Sequence, residues 1–157
     1  MVAWLACAVM APASAQELTL RWLTPAGQVL DQKTLTLAQI DGLKQSTIVT
    51  HTPWTEGSQT FTGPSLAVLA SLAGPASAPP TEAKVIALND YSATIPATDW
   101  TKIGAILSTR HNGQLMRVRD KGPFWVMYPI DTDPALAHQF YQSRMVWQVK
   151  SVDFVTQ

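Results

Sequence analysis

The sequence predicts an α+β protein of the β-rich kind, a mixed sheet or barrel-like sandwich with short helices. Three observations carry that prediction. Runs of alternating or β-branched residues recur roughly every 8 to 20 residues, without the strand–helix rhythm of a doubly wound parallel sheet. Helix signals are short and few, opened by Thr36, Pro64 and Asp133-Pro134. The dipeptide Asn112-Gly113 between two strand-like runs is the strongest hairpin signal in the chain. No GxGxxG or Walker-type glycine loop occurs, which leaves a nucleotide-binding parallel sheet without its usual phosphate cradle.

Each element follows from its local pattern. Leu18-Thr19-Leu20-Arg21-Trp22 alternates, placing Leu18, Leu20 and Trp22 on one strand face. Pro25-Ala26-Gly27 turns the chain. Thr36 caps a short helix through Ile40 that stops near Gly42, and Ser46 to Thr50 is a β-branched strand running into His51-Thr52-Pro53-Trp54. Thr55 to Thr60 is a polar loop. Pro64 suits the first position of a helix in which Leu66, Leu69, Ala70 and Ala73 recur at helical spacing, with Gly74-Pro75 ending it. Ala76 to Thr81 is an ordinary connection, so the chain reads as one domain. Lys84 to Leu88 is a buried strand ending at Asn89-Asp90-Tyr91, Ser92 to Ile95 extends again, and Thr98 or Asp99 caps a brief turn at Trp100. Ile103 to Thr109 pairs across Asn112-Gly113 with Gln114 to Val118. Pro123 to Pro129 is a further strand, Asp133-Pro134 starts a helix through about Gln142, and Met145 to Val155 forms the closing strands.

The 157 residues fit a single domain, and 46% apolar with 14% charged describes a globular chain. Eleven basic residues balance eleven acidic ones, so no global field favours nucleic acid or an anionic membrane. Nothing charged precedes Glu17. Val2 to Met10 has the length of a secretory apolar region, and Ala13-Ser14-Ala15 is a small-residue cleavage site, so residues 1–15 are expected to be a signal peptide and the mature domain 16–157 to be exported. Cys7 lies in the removed segment, which leaves the mature chain without a disulfide or thiolate ligand.

The three histidines, His51, His111 and His138, share no predicted helix face or strand pair, and so do not suggest a histidine metal site. His51 ends a strand and is placed to line a cleft. Ser65, His51 and Asp90 contain the residue types of a hydrolase triad, but Ser65 has no nucleophile-elbow pattern around it. Trp54, on a loop after a strand, is either a sheet cover or a ligand face. Arg110, Arg117, Arg119 and Lys121 concentrate positive charge on the hairpin and its exit, either as a solvated face or as a site for an acceptor-rich ligand.

An ordered set of residues then becomes informative. Trp54, Phe61-Thr62-Gly63-Pro64-Ser65-Leu66, Ala87-Leu88-Asn89-Asp90-Tyr91 with Ile95-Pro96, Arg119-Asp120-Lys121-Gly122-Pro123, Tyr128-Pro129 and Arg144-Met145-Val146-Trp147 together resemble the molybdopterin-binding domain of sulfite oxidases and related periplasmic reductases. The resemblance spans nearly all of the mature chain and implies the sulfite-oxidase fold, a β-rich mixed α+β domain. Enzymes of that family carry a molybdenum-binding cysteine at the position that here corresponds to Thr50, and a hydroxyl is a poor substitute for a soft thiolate on that metal. The chain is therefore more similar to a small periplasmic branch, of the PruR type, that binds reduced pterins without a redox cofactor. That branch regulates a membrane-bound cyclic di-GMP synthase or phosphodiesterase of the GGDEF/EAL kind through its periplasmic domain.

The resemblance thus implies a non-catalytic pterin sensor involved in biofilm regulation, with a molybdopterin-dependent oxidoreductase domain or subunit as the alternative. A pterin needs an aromatic face, acceptors for its amine edge and a donor for its oxygen. Trp54, Tyr91 or Trp125 can stack, Asp90 can accept, and Arg117 or Arg119 can donate, with Thr50, His51 and Lys121 completing the expected set. Asn89-Asp90 can equally be a turn that bonds only its own backbone. Trp100 or Trp125, with the Arg110 to Lys121 hairpin, is the expected partner surface.

Overall fold

The computed structural model describes residues 16–74 and 78–157. The expected signal peptide 1–15, with Cys7, and part of the Ala76–Thr81 connection lie outside the described residues. The protein is a β-rich mixed α+β structure with several sheets and short helices.

Alternation builds the larger sheet. Its order is β2 (Val29–Thr36), β1 (Glu17–Leu23), β11 (Val149–Thr156), β5 (Pro80–Ala87) and β6 (Ser92–Pro96). β1 and β11 run parallel, with Leu20 opposite Val152 and Trp22 opposite Phe154, and the other pairs are antiparallel. Leu18, Leu20 and Trp22 are fully buried on one face, joined by Ala83 and Val85 of β5 and by Val152 and Phe154 of β11. Trp22 stacks on Phe154 with centroids 5.7 Å apart, and its indole N–H donates to the Ala70 carbonyl at 3.0 Å, tying α2 (Leu66–Ala70) to the sheet.

The remaining strands form a four-stranded antiparallel sheet, β3 (Gln45–Thr50), β4 (Gln59–Pro64), β8 (Arg110–His111) and β9 (Gln114–Leu115), and a pair, β7 (Ile106–Ser108) with β10 (Trp125–Met127). A bridge between Ser65 and Ile106 joins the two groups. Gly63 makes their approach possible, because a Cβ there would fall onto the Leu107 carbonyl. The expected hairpin turn is present: Asn112 and Gly113 both take positive φ, 49° and 76°, as a two-residue hairpin of this twist requires. α1 (Leu37–Asp41) begins as expected with Thr36, which forms a reciprocal capping box with Gln39.

Several elements differ from their expected bounds. β2 was not foreseen, since its sequence offers Val29, Leu30 and Leu35 without a continuous apolar face; it is an edge strand whose alternation is mostly polar. Pro64 ends β4 rather than opening α2, because the Ser65 hydroxyl accepts from the Val68 N–H and is itself the cap. Residues Asp99–Ile103 form one wide helical turn closed by Gly104 at φ 88°, which shortens the expected strand to β7. The helix expected from Asp133 breaks at His138, whose extended backbone separates a 3-10 turn, Pro134–Ala137, from α3 (Gln139–Gln142). The closing strand begins only at Val149. Residues 145–146 instead run beside β10, where Met145 O accepts the Trp125 indole N–H and Val146 O accepts the Val126 N–H.

Candidate functional site

The crossing segment 139–147 and the β5–β6 turn enclose a cleft of about 380 Å³. This falls in the range of small-molecule sites. Trp54, Tyr91 and Trp147 supply aromatic walls, and Ala87, Met145 and Val146 an apolar base. Asn89, Gln139, Gln142 and Ser143 add neutral polar groups. Each wall has its own support. Tyr91 donates its hydroxyl to the Ser143 carbonyl at 2.7 Å, linking the β5–β6 turn to the end of α3. Trp54 sits edge-on to Trp147, centroids 5.2 Å apart, and tilted against Trp125 at 6.0 Å. The Lys121 ammonium lies 5.0 Å from the Trp147 ring centroid and 5.8 Å from that of Trp125, a cation–π arrangement. Lys121 takes φ 70° at the end of a 3-10 turn, Val118–Asp120, and its carbonyl accepts the Gln148 N–H at 3.0 Å.

Behind the cleft lies a buried polar cluster. Asp99 Oδ2 accepts from the Tyr128 hydroxyl at 2.6 Å and from Arg144 Nη1 at 2.7 Å. The Arg144 guanidinium also lies 3.9 Å from the Phe140 ring centroid. Burial, reinforced by the Asp99 bond, pushes the Tyr128 hydroxyl far above its usual pKa, so it remains a donor. Arg144 thereby anchors the segment that carries Gln139, Gln142 and Trp147.

The structure separates the residues expected to act together. Trp54 and Tyr91 line the cleft. Trp125 is 1% exposed, so it backs the cluster and presents no free face, and Lys121 touches the same indoles from outside the lining. Asp90 lies outside the lining, exposed and at φ 67°, with its carboxylate 2.6 Å from Lys150; that bond holds it below the ordinary aspartate range. Arg117 and Arg119 also lie outside the lining, flanking Asp120 at 2.6 and 4.0 Å. Trp100 is 6% exposed, so neither it nor Trp125 is the exposed aromatic that was expected on a partner surface.

Thr50 and His51 belong to a second corner. The Thr50 hydroxyl is fully buried, donates to the His51 carbonyl and accepts the Asp131 N–H at 3.1 Å. Asp131 Oδ2 accepts the His51 N–H at 2.9 Å and faces His51 Nδ1 at 2.7 Å; these bonds lower the Asp131 pKa. Where the resemblance places a molybdenum thiolate, the chain thus has a hydroxyl already committed to two backbone groups. No group of three or more His, Cys, Asp or Glu suited to a metal occurs among the described residues. This donor set does not fit a thiolate-bound molybdenum. Ser65, likewise, uses its hydroxyl to cap α2.

Gln139, Gln142, Ser143, Met145 and Trp147 were not foreseen as site residues. Trp147 had a signal in the Arg144-Met145-Val146-Trp147 motif, although the candidate rings were Trp54, Tyr91 and Trp125; the two glutamines had only their three-residue spacing. A comparison with protein-family models finds no matching family, and a comparison with curated proteins finds no match. No helix among the described residues is long and apolar enough to cross a membrane.

Proposed function

We propose that the protein is a non-catalytic periplasmic sensor that binds a reduced pterin in the cleft of Trp54, Tyr91 and Trp147. The observation that carries this reading is the pairing of aromatic walls with side-chain amides. A flat bicyclic ring needs a π-face to stack on, and its lactam edge needs donors and acceptors in alternation. Asn89, Gln139 and Gln142 each carry both on one group, so they replace the carboxylate and guanidinium partners expected at Asp90, Arg117 and Arg119.

A sensor of this kind acts through a protein partner, here proposed to be the periplasmic domain of a membrane-bound cyclic di-GMP synthase or phosphodiesterase. Ligand changes the partner's state only if the filled and empty forms bind it with different affinity. The sulfite-oxidase fold is part of the same proposal, supported by the ordered motifs and by the β-rich arrangement.

Calorimetry with tetrahydrobiopterin tests the ligand reading. Binding is expected with wild type and is expected to weaken strongly in Trp54→Ala. A wild-type protein that takes up no tetrahydropterin overturns it.

A further inference from the structure

We infer that an apolar and basic band beside the cleft mouth, formed by Leu88, Tyr91 and Val118 with Arg119, Lys121 and Lys150, is a docking surface for a protein segment of acidic and apolar character. The inference deepens the sensor reading, on which it rests for the existence of a protein partner. Gln148 ties the backbones that carry Leu88, Val118 and Lys121 to one another. The Gln148 carbonyl accepts the Leu88 N–H at 2.8 Å, its side-chain amide donates to the Val118 carbonyl at 2.7 Å, and its backbone N–H donates to Lys121. Leu88, Tyr91 and Val118 are nevertheless 46%, 49% and 50% exposed. Large apolar side chains gathered in this way mark interaction sites more often than scattered ones do.

Charge selects the occupant. Arg117, Arg119, Lys121 and Lys150 surround the band, opposed by Asp120 and Asp90. Arg119 reaches Asp120 only at 4.0 Å, a carboxylate that Arg117 already holds at 2.6 Å. Lys121 rests on indole rings rather than on a carboxylate. Two cations are thus left to meet a partner's acidic groups, and complementary rim charge steers and orients protein association. An anionic bilayer is the weaker fit, since polybasic membrane sites gather about 4–8 basic residues against the surface, whereas Asp120 and Asp90 here offset two of the four cations. Tyr91 belongs both to this band and to the cleft, so a ligand that shifts Tyr91 alters the docking face.

The test places a photo-crosslinking amino acid at Val118 in the full-length protein, in the cells that make it, with Val49 as control. Val49 is 59% exposed on β3, at the edge of the four-stranded sheet opposite β9. The expected result is an adduct at Val118, absent at Val49, that maps to one protein segment rich in Asp or Glu and in large apolar residues. Arg119→Glu, at an exposed side chain, should reduce the affinity of that purified partner at least tenfold, and reversing one partner carboxylate to Lys should restore it. Adducts with lipid only, equal adducts at Val49, a captured segment lacking acidic residues, or affinity indifferent to Arg119→Glu each overturn the docking surface. Calorimetry with tetrahydrobiopterin on the same proteins separates the two readings. Tetrahydropterin binding without the charge-dependent adduct removes the surface and leaves the ligand; the adduct without tetrahydropterin binding removes the ligand and leaves the surface.

Discussion

In the five-stranded sheet, Leu18, Leu20 and Trp22 are buried by one repeated alternation that neighbouring strands share, whereas the cleft and the segment that forms it are held by single contacts. Tyr91 depends on Ser143 O, the Gln148 backbone on Lys121 O, and Arg144 on Asp99. A periodic face tolerates exchange of one apolar shape for another, because the information lies in the period. A wall fixed by single polar contacts has no such redundancy. The difference explains how a steady scaffold can carry a site whose shape depends on a few side chains.

The sharpest way to break that comparison is a matched pair of methionine substitutions. Arg144→Met leaves the Asp99 carboxylate, 4% exposed, without its guanidinium, and removing one partner of a buried pair costs about 3–5 kcal/mol. Leu20→Met conserves volume in the sheet and should cost less than about 1.5 kcal/mol. Thermal unfolding of both checks the contrast, and equal losses would mean that the cleft is as redundant as the sheet. Replacing Asp99 and Arg144 together by apolar residues should recover part of the loss, since the stranded charge is then gone.

Next in size is Trp54→Ala. Anchors of this kind concentrate binding energy, so tetrahydrobiopterin affinity should fall by about 2 kcal/mol, roughly thirtyfold. Trp54 is half-buried with its edge contacts on Trp147 and Trp125, so the melting temperature should fall less than in Arg144→Met. A protein that loses stability and affinity in proportion would place Trp54 with the scaffold. On the scaffold itself, Thr36→Ala removes the capping box of α1 and should cost about 1 kcal/mol without altering ligand affinity, as a denaturant titration beside calorimetry would report.

The same contrast decides what the sequence makes legible. β1, β3, the Thr36 cap and the Asn112-Gly113 turn are encoded by neighbours in the chain, and each appears where its pattern places it. The cleft is not encoded that way. Trp147 and Gln142 meet Asn89 and Tyr91 across more than fifty residues, because the chain leaves β10 and returns beside it before entering β11. Residue type alone points to Asp90, Arg117 and Arg119, but Lys150 pairs with Asp90 and Asp120 with Arg117 outside the cleft, and Arg119 lies beside that same Asp120 at 4.0 Å. His51 was correctly placed at a strand end, but its partner Asp131 lies eighty positions away and no local pattern announces it.

The smallest expected effect distinguishes the two regions by proton rather than by volume. His111 stacks on Phe61 with centroids 4.8 Å apart and planes within 10°, and its Nε2 faces Gln59 Oε1 at 2.8 Å. Partial burial lowers its pKa, so the folded protein favours the neutral ring more than the unfolded chain does. The unfolded state then binds more protons as the medium acidifies. The stability that His111 contributes is fully present above the unfolded value near 6.5 and is lost as pH falls through the lower folded value. Asp131 is also depressed, through its bonds to His51, but its loss belongs below the ordinary aspartate range, in a separate acid window. Denaturant titrations of wild type and His111→Gln from pH 7.5 to 5 therefore isolate the histidine. Wild type should lose stability more steeply with acid than the variant, while tetrahydrobiopterin affinity, set in a cleft that His111 does not line, should differ little between them. Parallel stability curves would show that the ring is protonated as readily in the folded sheet as in the unfolded chain. A steep change in ligand affinity carried by His111 alone would instead couple the four-stranded sheet to the cleft through Trp125, which meets His111 edge-on at 6.5 Å on one side and Trp147 at 6.4 Å on the other.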